Sequence, residues 1–397
     1  MMRGFQPGHI KLLSILSVLE VFRMLGIFLV LPVFTVYGEQ FTSSGLLIGI
    51  GLGSYGIAMA IFQIPMGMLS DRYGRKRVIA LAMVPFIVGN LISWHPVTIF
   101  GLILGRFIAG AGAITSSSMA LAQESVPESK RTAAMAFLGI PIGLSFLAGI
   151  VLGPVIAEFL GYSSIFLISA LLGIAGLVPF LIMHIPATGR KIHYFKGKLS
   201  PDSILMGIVG LTTSFVLIAV FYFLPLYYGT GSFSRYEETL FITLMSGGII
   251  AIALSPVAER GRRLKFALIS LVLMSVSVPL ILSVSLINTF SFILFPGLVI
   301  FFAGYSITEI VFTPIISTRV SGSDYGLNMG VYNTLQFIGQ FLGGAVAGSV
   351  IGLDLSRAAL ERGIFIVELL MVISITLLFV VRSHGHNGKP DSANSKA

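Results

Sequence analysis

The chain has 397 residues, 55% of them hydrophobic and only 10% charged, with a net charge of +9 and a mean hydropathy of +0.97. That composition excludes an ordinary water-soluble globule, and the absence of cysteine excludes disulfides, thiol catalysis and cysteine-ligated metal clusters. What remains is an integral membrane protein. Continuous apolarity with abundant glycine favours helices, which satisfy their own backbone in lipid, over an outer-membrane barrel.

A helix needs about 20 apolar residues to cross roughly 30 Å of hydrocarbon, and twelve such runs are predicted. The first, 11–37, is too long for a signal-peptide core and lacks a small-residue cleavage site, so it is expected to stay. Glu20 and Arg23 lie three apart on one of its faces, either as a mutually neutralising pair or as part of a proton path. The second span, 45–69, is joined to the third, 78–94, by Gly67-Met68-Leu69-Ser70-Asp71-Arg72-Tyr73-Gly74-Arg75-Lys76-Arg77. So short a charged connection predicts a tight hairpin at one membrane face. Asp71 there could accept hydrogen bonds from the exposed N–H groups of another helix N-terminus. The basic residues Arg72, Arg75, Lys76 and Arg77 could equally just hold the loop inside and bind anionic lipid. The fourth span, 97–121, places Arg106 about nine residues, roughly 13 Å, from its outer end and so near the midplane. Arg106 is either a coupling group or a brace bonding the carbonyls of the first span. The fifth span, 132–157, carries Gly139, Gly143, Gly149, Gly153 and Pro154, and the sixth covers 163–185.

A polar interruption at 186–203 divides six spans from six. The seventh span, 204–229, contributes Tyr222 and Tyr227, which with Phe28, Phe302 and Tyr305 would suit an apolar, shape-tolerant substrate pocket. The eighth and ninth cover 237–258 and 265–286. The tenth, 290–318, holds Glu309 at about the depth of Glu20, where burial and a nearby arginine pull a carboxylate in opposite directions. Glu309 is therefore the first candidate for a proton-coupling acid, with Glu20 second. The eleventh, 326–350, carries Tyr332, Gln336 and Gln340 at successive i+4 positions, a polar stripe that either lines a cavity or bonds a neighbouring helix. Gly339 and Gly343 on the same helix permit close contact, either within one half or sliding between halves. The twelfth covers 362–381, with Glu368 near the interface. The expected organisation is a six-helix bundle over 1–189, a cytoplasmic linker at 190–203, a second six-helix bundle over 204–384 and a disordered tail at 385–397.

Charge follows the same alternation. With the span-edge residues Lys11, Lys265 and Arg362 counted with the adjoining loops, twenty Lys and Arg residues fall at the N-terminus, in the even-numbered loops and in the C-terminal tail, against three in the odd-numbered loops. The positive-inside rule then predicts a multi-pass protein of the cytoplasmic (inner) membrane with both termini in the cytoplasm, and the basic charge needs no nucleic-acid partner. No G-x-x-x-x-G-K-[ST], H-E-x-x-H or G-x-S-x-G occurs and the loops are too short for a nucleotide domain, so neither an enzyme nor an ATP-driven pump is expected.

Several motifs carry a family resemblance. The hairpin matches the G-x-L-x-D-R-x-G-R-K signature of the major facilitator superfamily at nearly every position. Leu102-xxx-Arg106-xx-Ala109-Gly110-x-Gly112 is similar to that superfamily's R-x-x-x-G-x-G pattern, and Leu25-Gly26-xxxxx-Pro32-Val33 to a motif of its twelve-helix drug/proton antiporter branch. Gly149-xxx-Gly153-Pro154 resembles the antiporter motif, with Ala157-Glu158 in place of the family's Gly-Gly. Residues 1–381 resemble this branch, most closely the YajR-type transporters, and no counterpart of their soluble C-terminal domain is expected. The resemblance implies two pseudo-symmetric six-helix bundles that rock about a central site, coupling to protons and export of amphipathic compounds. It implies no cofactor beyond the proton gradient and a protein active as a monomer. It also implies that Gly67, Asp71, Arg72, Gly74, Arg75 and Arg77 form a conformational latch, with Asp71 meeting the start of the eleventh helix in the outward-facing state. An importer of a sugar, amino acid or other nutrient, and a non-transporting membrane receptor, are the competing readings.

Overall fold

The computed structural model describes residues 6–183, 198–228, 233–259, 262–287, 293–317, 319–320, 324–353 and 355–387. Fourteen α-helices run through these residues. The first half of the chain holds α1 (Pro7–Val30), α2 (Phe34–Glu39), α3 (Gly45–Tyr73), α4 (Arg75–Trp94), α5 (Ile99–Gly110), α6 (Thr115–Glu124), α7 (Arg131–Leu160) and α8 (Ser164–Ile182). The second half holds α9 (Pro201–Tyr228), α10 (Phe233–Glu259), α11 (Arg263–Ile287), α12 (Leu294–Ser317), α13 (Tyr325–Val350) and α14 (Arg357–Asn387). Among the described residues ten segments are long and apolar enough to cross a bilayer, with α5 and α6 together making one of them. The other two expected spans fall on α10 and on α13, whose apolar surface is interrupted by Asn328, Asn333, Gln336 and Gln340. Of the expected linker, 190–197 lie outside the described residues, and so do 388–397 of the tail; α14 runs on through Asn387.

Two spans expected to be continuous are broken. The first stops at Val30 because Pro32 has no N–H to offer the ladder; the chain turns through Leu31–Val33 and resumes as the short α2. The fourth is interrupted at residues 111–114, following Gly110 and containing Gly112, where each glycine weakens a helix by about 1 kcal/mol relative to alanine. Gly112 allows this segment to lie against α4, since a Cβ there would come within 2.7 Å of the Ala82 carbonyl oxygen and 2.9 Å of Phe86 Cβ.

Within the first half, α1 packs on α7 and α8, and α4 packs on α5 and α8. Within the second, α9 packs on α13 and α14, and α12 on α10 and α11. The halves meet mainly where α3 crosses α13, and secondarily where α7 meets α10. One end of the molecule is basic. There Lys76 donates to the carbonyls of Leu181, at 2.7 Å, and of Met183, tying the start of α4 to the exposed carbonyls ending α8. Arg263 donates to the Pro314 carbonyl at 3.3 Å, and Arg319 pairs with Asp202.

At the opposite end the two halves are in backbone contact. A Cβ on Gly49 would come within 2.0 Å of the Gly344 carbonyl oxygen, and one on Gly348 within 2.1 Å of the Gly45 carbonyl oxygen. The Tyr222 hydroxyl, on α9, lies 3.4 Å from Gly45 O and 3.2 Å from Gly352 O at the same seam. Toward the basic end the contact is lost. On α7, Phe146 still touches Tyr305 of α12, but Gly139 and Gly143 on the same helix face meet nothing described within 4 Å of a built Cβ, and Gly330 of α13 is equally open. The halves converge at one end and part toward the other.

Candidate functional site

The seam between the halves holds Glu309. It lies mid-way along α12 with Ile307, Thr308, Val311 and Phe312 buried around it, yet its own side chain is solvent-accessible. It is also enclosed by protein, with Tyr305, one turn earlier on α12, and Gln336 of α13 beside the carboxylate. An accessible acid enclosed by helices faces an internal aqueous space, because lipid offers no such partners. Gln336 in turn donates to the Tyr332 hydroxyl at 3.0 Å. Tyr305 stands 6.0 Å, ring to ring, from Phe146 of the first half, which meets Phe28 edge-on at 5.0 Å. A carboxylate of the second half thus sits beside aromatic edges of the first.

The first half has its own buried charges, away from any accessible surface. Glu20 and Arg23 are both 0% exposed and joined at 2.9 Å. Arg23 also reaches the Tyr55 hydroxyl at 3.4 Å and the Thr115 hydroxyl at the start of α6. Arg106 lies over the rings of Tyr55, 5.0 Å from the centroid, and Phe34, 5.7 Å away. Among the described residues its Nε has no hydrogen-bond partner. Two guanidinium groups therefore flank one phenol with a single carboxylate to balance them. The cluster holds the break between α5 and α6 against α1 and α3, and Tyr55 and Thr115 are members that the sequence did not single out. Tyr55 stands in a glycine-rich run of the second span, which was the one available signal.

At the basic end Gly74 has φ +99°, a conformation that L side chains rarely adopt, and it both ends α3 and opens α4. This reversal brings Arg75 back over the last turn of α3, where it pairs with Asp71 and bonds the Ser70 hydroxyl. Arg75 also bonds Glu124 at 2.9 Å, linking the hairpin to the end of α6. Arg72 lies 5.4 Å from the centroid of the Tyr73 ring, Arg77 is exposed, and Gly67 faces Ser116 of α6.

Other expected site residues fall elsewhere. Tyr222 was expected in the substrate cavity; it is fully buried at the closed end and bonds the seam. Tyr227 stacks on Phe223 at 5.7 Å near the same end, and not beside Glu309. Gln340 meets Gly56 in the contact between α3 and α13, so of the polar stripe Tyr332 and Gln336 adjoin Glu309. Gly149 and Gly153 touch Phe28 and Leu29 of α1, and Gly339 and Gly343 touch Leu211 and Phe215 of α9, all within one half; Pro154 is buried beside them. Close approach between the halves instead belongs to Gly45, Gly49 and Gly53 against Gly344, Gly348 and Phe341. Local spacing identifies a small-residue face but cannot say which helix will cover it.

Comparison with known proteins agrees with this architecture. Residues 16–344 match the Major Facilitator Superfamily. The chain is 30% identical over 385 residues to the inner membrane transport protein YajR of Escherichia coli K12, covering 94% of this chain and 84% of that one. It is 31% identical over 155 residues to the class H tetracycline resistance protein of Pasteurella multocida, covering 38% of each. Its fold is similar to a bacterial homologue of the human lysosomal transporter Spinster in an inward-facing, occupied conformation, with a TM-score of 0.76 at 15% identity over 98% of this chain and 100% of that one.

Proposed function

Because the chain belongs to the Major Facilitator Superfamily, we propose that it is a proton-coupled antiporter exporting small amphipathic compounds. It is a multi-pass membrane protein and not an enzyme, and it moves small molecules by alternating access. The observation that carries the coupling is Glu309: an accessible carboxylate inside the bundle, at the seam, beside a phenol and an amide that can bond it in either protonation state. A proton bound there neutralises the acid when the cavity must close, and its release restores the charge when the cavity opens. Phe28, Phe146 and Tyr305 supply the apolar surface on which an amphipathic solute would rest.

The charge pattern supports placing the basic end in the cytoplasm. On that orientation the described state is closed outside and parts toward the inside. The reading includes twelve spans in two six-helix bundles, with α1–α2 and α5–α6 each forming one span and α10 and α13 supplying the pair beyond the ten apolar ones. It also includes the latch. Asp71 is held by Arg75 in this state and would meet the N-terminus of α13 once the inner end closes, a contact worth about 0.3–2 kcal/mol.

Purified protein in liposomes loaded with ethidium, under an acid-inside or acid-outside gradient, tests both coupling and direction. Dye moving against an opposing proton flux, and loss of that dependence in Glu309→Gln, is the expected result. Dye and protons moving together would support the importer reading. Transport in Glu309→Gln that still follows the proton gradient would remove the acid from the mechanism.

A further inference from the structure

The glycine seam between α3 and α13 has a register that runs on past the point where contact stops. A Cβ on Gly45 would come within 2.6 Å of the Gly348 carbonyl oxygen, and one on Gly49 within 2.0 Å of the Gly344 carbonyl oxygen. One on Gly53 would come within 2.6 Å of Phe341 Cα, and one on Gly56 within 2.9 Å of the Phe337 carbonyl oxygen. Successive steps of three or four residues along α3 are thus matched by steps of three or four back along α13. The next two steps set Ala60 against Thr334 and Gln63 against Gly330. Side chains on a helix tilt toward its N-terminus. The N-terminus of α3 lies at the closed end and that of α13 at the basic end, so Gln63 leans toward the level of Thr334 and Thr334 toward the level of Gln63.

In the described state this rung is not made. Gln63 is 4% exposed, yet its Oε1 has no hydrogen-bond partner among the described residues, and the Oγ1 of Thr334 is likewise buried and without one. Contact between the two helices has lapsed at this level. A Cβ on Gly330, opposite Gln63, meets nothing described within 4 Å, and one on Gly67, a turn beyond, meets only Ser116 of its own half at 3.7 Å. An amide oxygen and a hydroxyl, one acceptor and one donor, therefore stand unpaired where the seam ends. Burying such groups without partners costs free energy that a bond between them recovers.

We propose that Gln63 and Thr334 form a hydrogen bond between the halves when the basic end closes, as the next rung of the α3 and α13 seam. They are positioning residues that bias which end of the molecule is open. The rung rests on alternating access, and on neither the direction nor the proton coupling of transport.

Spin labels at Leu46 and Ser349, on either side of the closed seam, report the population of each state in a chain with no native cysteine. Gln63→Leu removes the rung from the alternative state and one unpaired group from the described state, leaving Thr334 unpaired in both; Thr334→Val does the converse. Each should raise the ratio of short to long separations by about two- to tenfold, and the double variant should raise it no further. Separately, Gln63→Cys with Thr334→Cys should form a disulfide, which needs Cβ atoms within about 4.5 Å. Its yield should rise when Gly49→Ala parts the closed end. Absent or additive shifts, shifts toward longer separations, or coupling of Gln63→Leu to Asn333→Leu in place of Thr334→Val would overturn the proposal. So would a disulfide yield that ignores Gly49→Ala while that variant moves the labels. A single separation in every variant, Gly49→Ala included, would overturn alternating access and the rung with it, whereas two separations without coupling between Gln63 and Thr334 would overturn the rung alone.

Discussion

Arg23 shows how much one side chain can hold together inside a membrane protein. It bonds Glu20 on its own helix, Tyr55 on α3 and Thr115 at the start of α6, with no exposure to solvent. Removing one partner of such a pair leaves a charge buried without compensation, which costs about 3–5 kcal/mol, whereas replacing both by apolar groups is often neutral. Arg23→Met and Glu20→Leu should therefore each lower the thermal unfolding midpoint in detergent clearly more than the double variant does. Additive losses would show the pair to be energetically uncoupled. Glu309→Gln should behave oppositely: its side chain keeps the shape and faces an aqueous space, so the midpoint should hold within a few degrees while proton-dependent transport is lost. The presence of these charges in apolar spans was legible from the sequence, because each is too costly to be there by accident. Their partners were not, since Tyr55 is 32 residues and Thr115 is 92 residues from Arg23 along the chain.

Helices were legible where apolarity is long and uninterrupted, and less so where chain direction changes within a span. The breaks after Val30 and Gly110 occur inside runs that hydropathy reads as continuous, and only Pro32 and the glycines around Ala111 mark them. The reversal between α3 and α4 was legible, since Gly74 at φ +99° satisfies a requirement that few other residues meet, but the helices run on to Tyr73 and from Arg75, closer to the turn than the expected ends at 69 and 78. Between α3 and α13 the glycines set the behaviour of the closed end. An alanine at Gly49 would drive its Cβ to within 2.0 Å of a backbone oxygen that has no rotamer to yield. Overpacking of this kind costs about 1–3 kcal/mol, a factor of about 5 to 150 in a two-state equilibrium. Spin labels on cysteines introduced at Leu46 and Ser349 flank this contact, in a chain with no other thiol. Gly49→Ala should move their distance distribution toward longer separations. An unchanged distribution would mean that α3 and α13 accommodate the methyl group without parting.

For the whole molecule, the same pair of labels reads the proposed latch from the other side of the membrane. Asp71→Asn removes a pair with Arg75 across the turn, worth about 0.2–1 kcal/mol in the state described here. It would also remove the proposed contact with the α13 N-terminus in the alternative state, worth up to about 2 kcal/mol. The larger loss falls on the alternative state, so Asp71→Asn should enrich the short Leu46–Ser349 distance, opposite to Gly49→Ala. A shift toward longer distances would show that the Arg75 pair dominates. The closing contact itself has a property that suits repeated use. Tyr222 offers one hydrogen to two acceptors, Gly352 O at 3.2 Å in its own half and Gly45 O at 3.4 Å in the other. When the halves separate the phenol keeps Gly352, so no donor is stranded and little enthalpy is lost. As far as this phenol is concerned, opening the seam would cost only a fraction of one hydrogen bond.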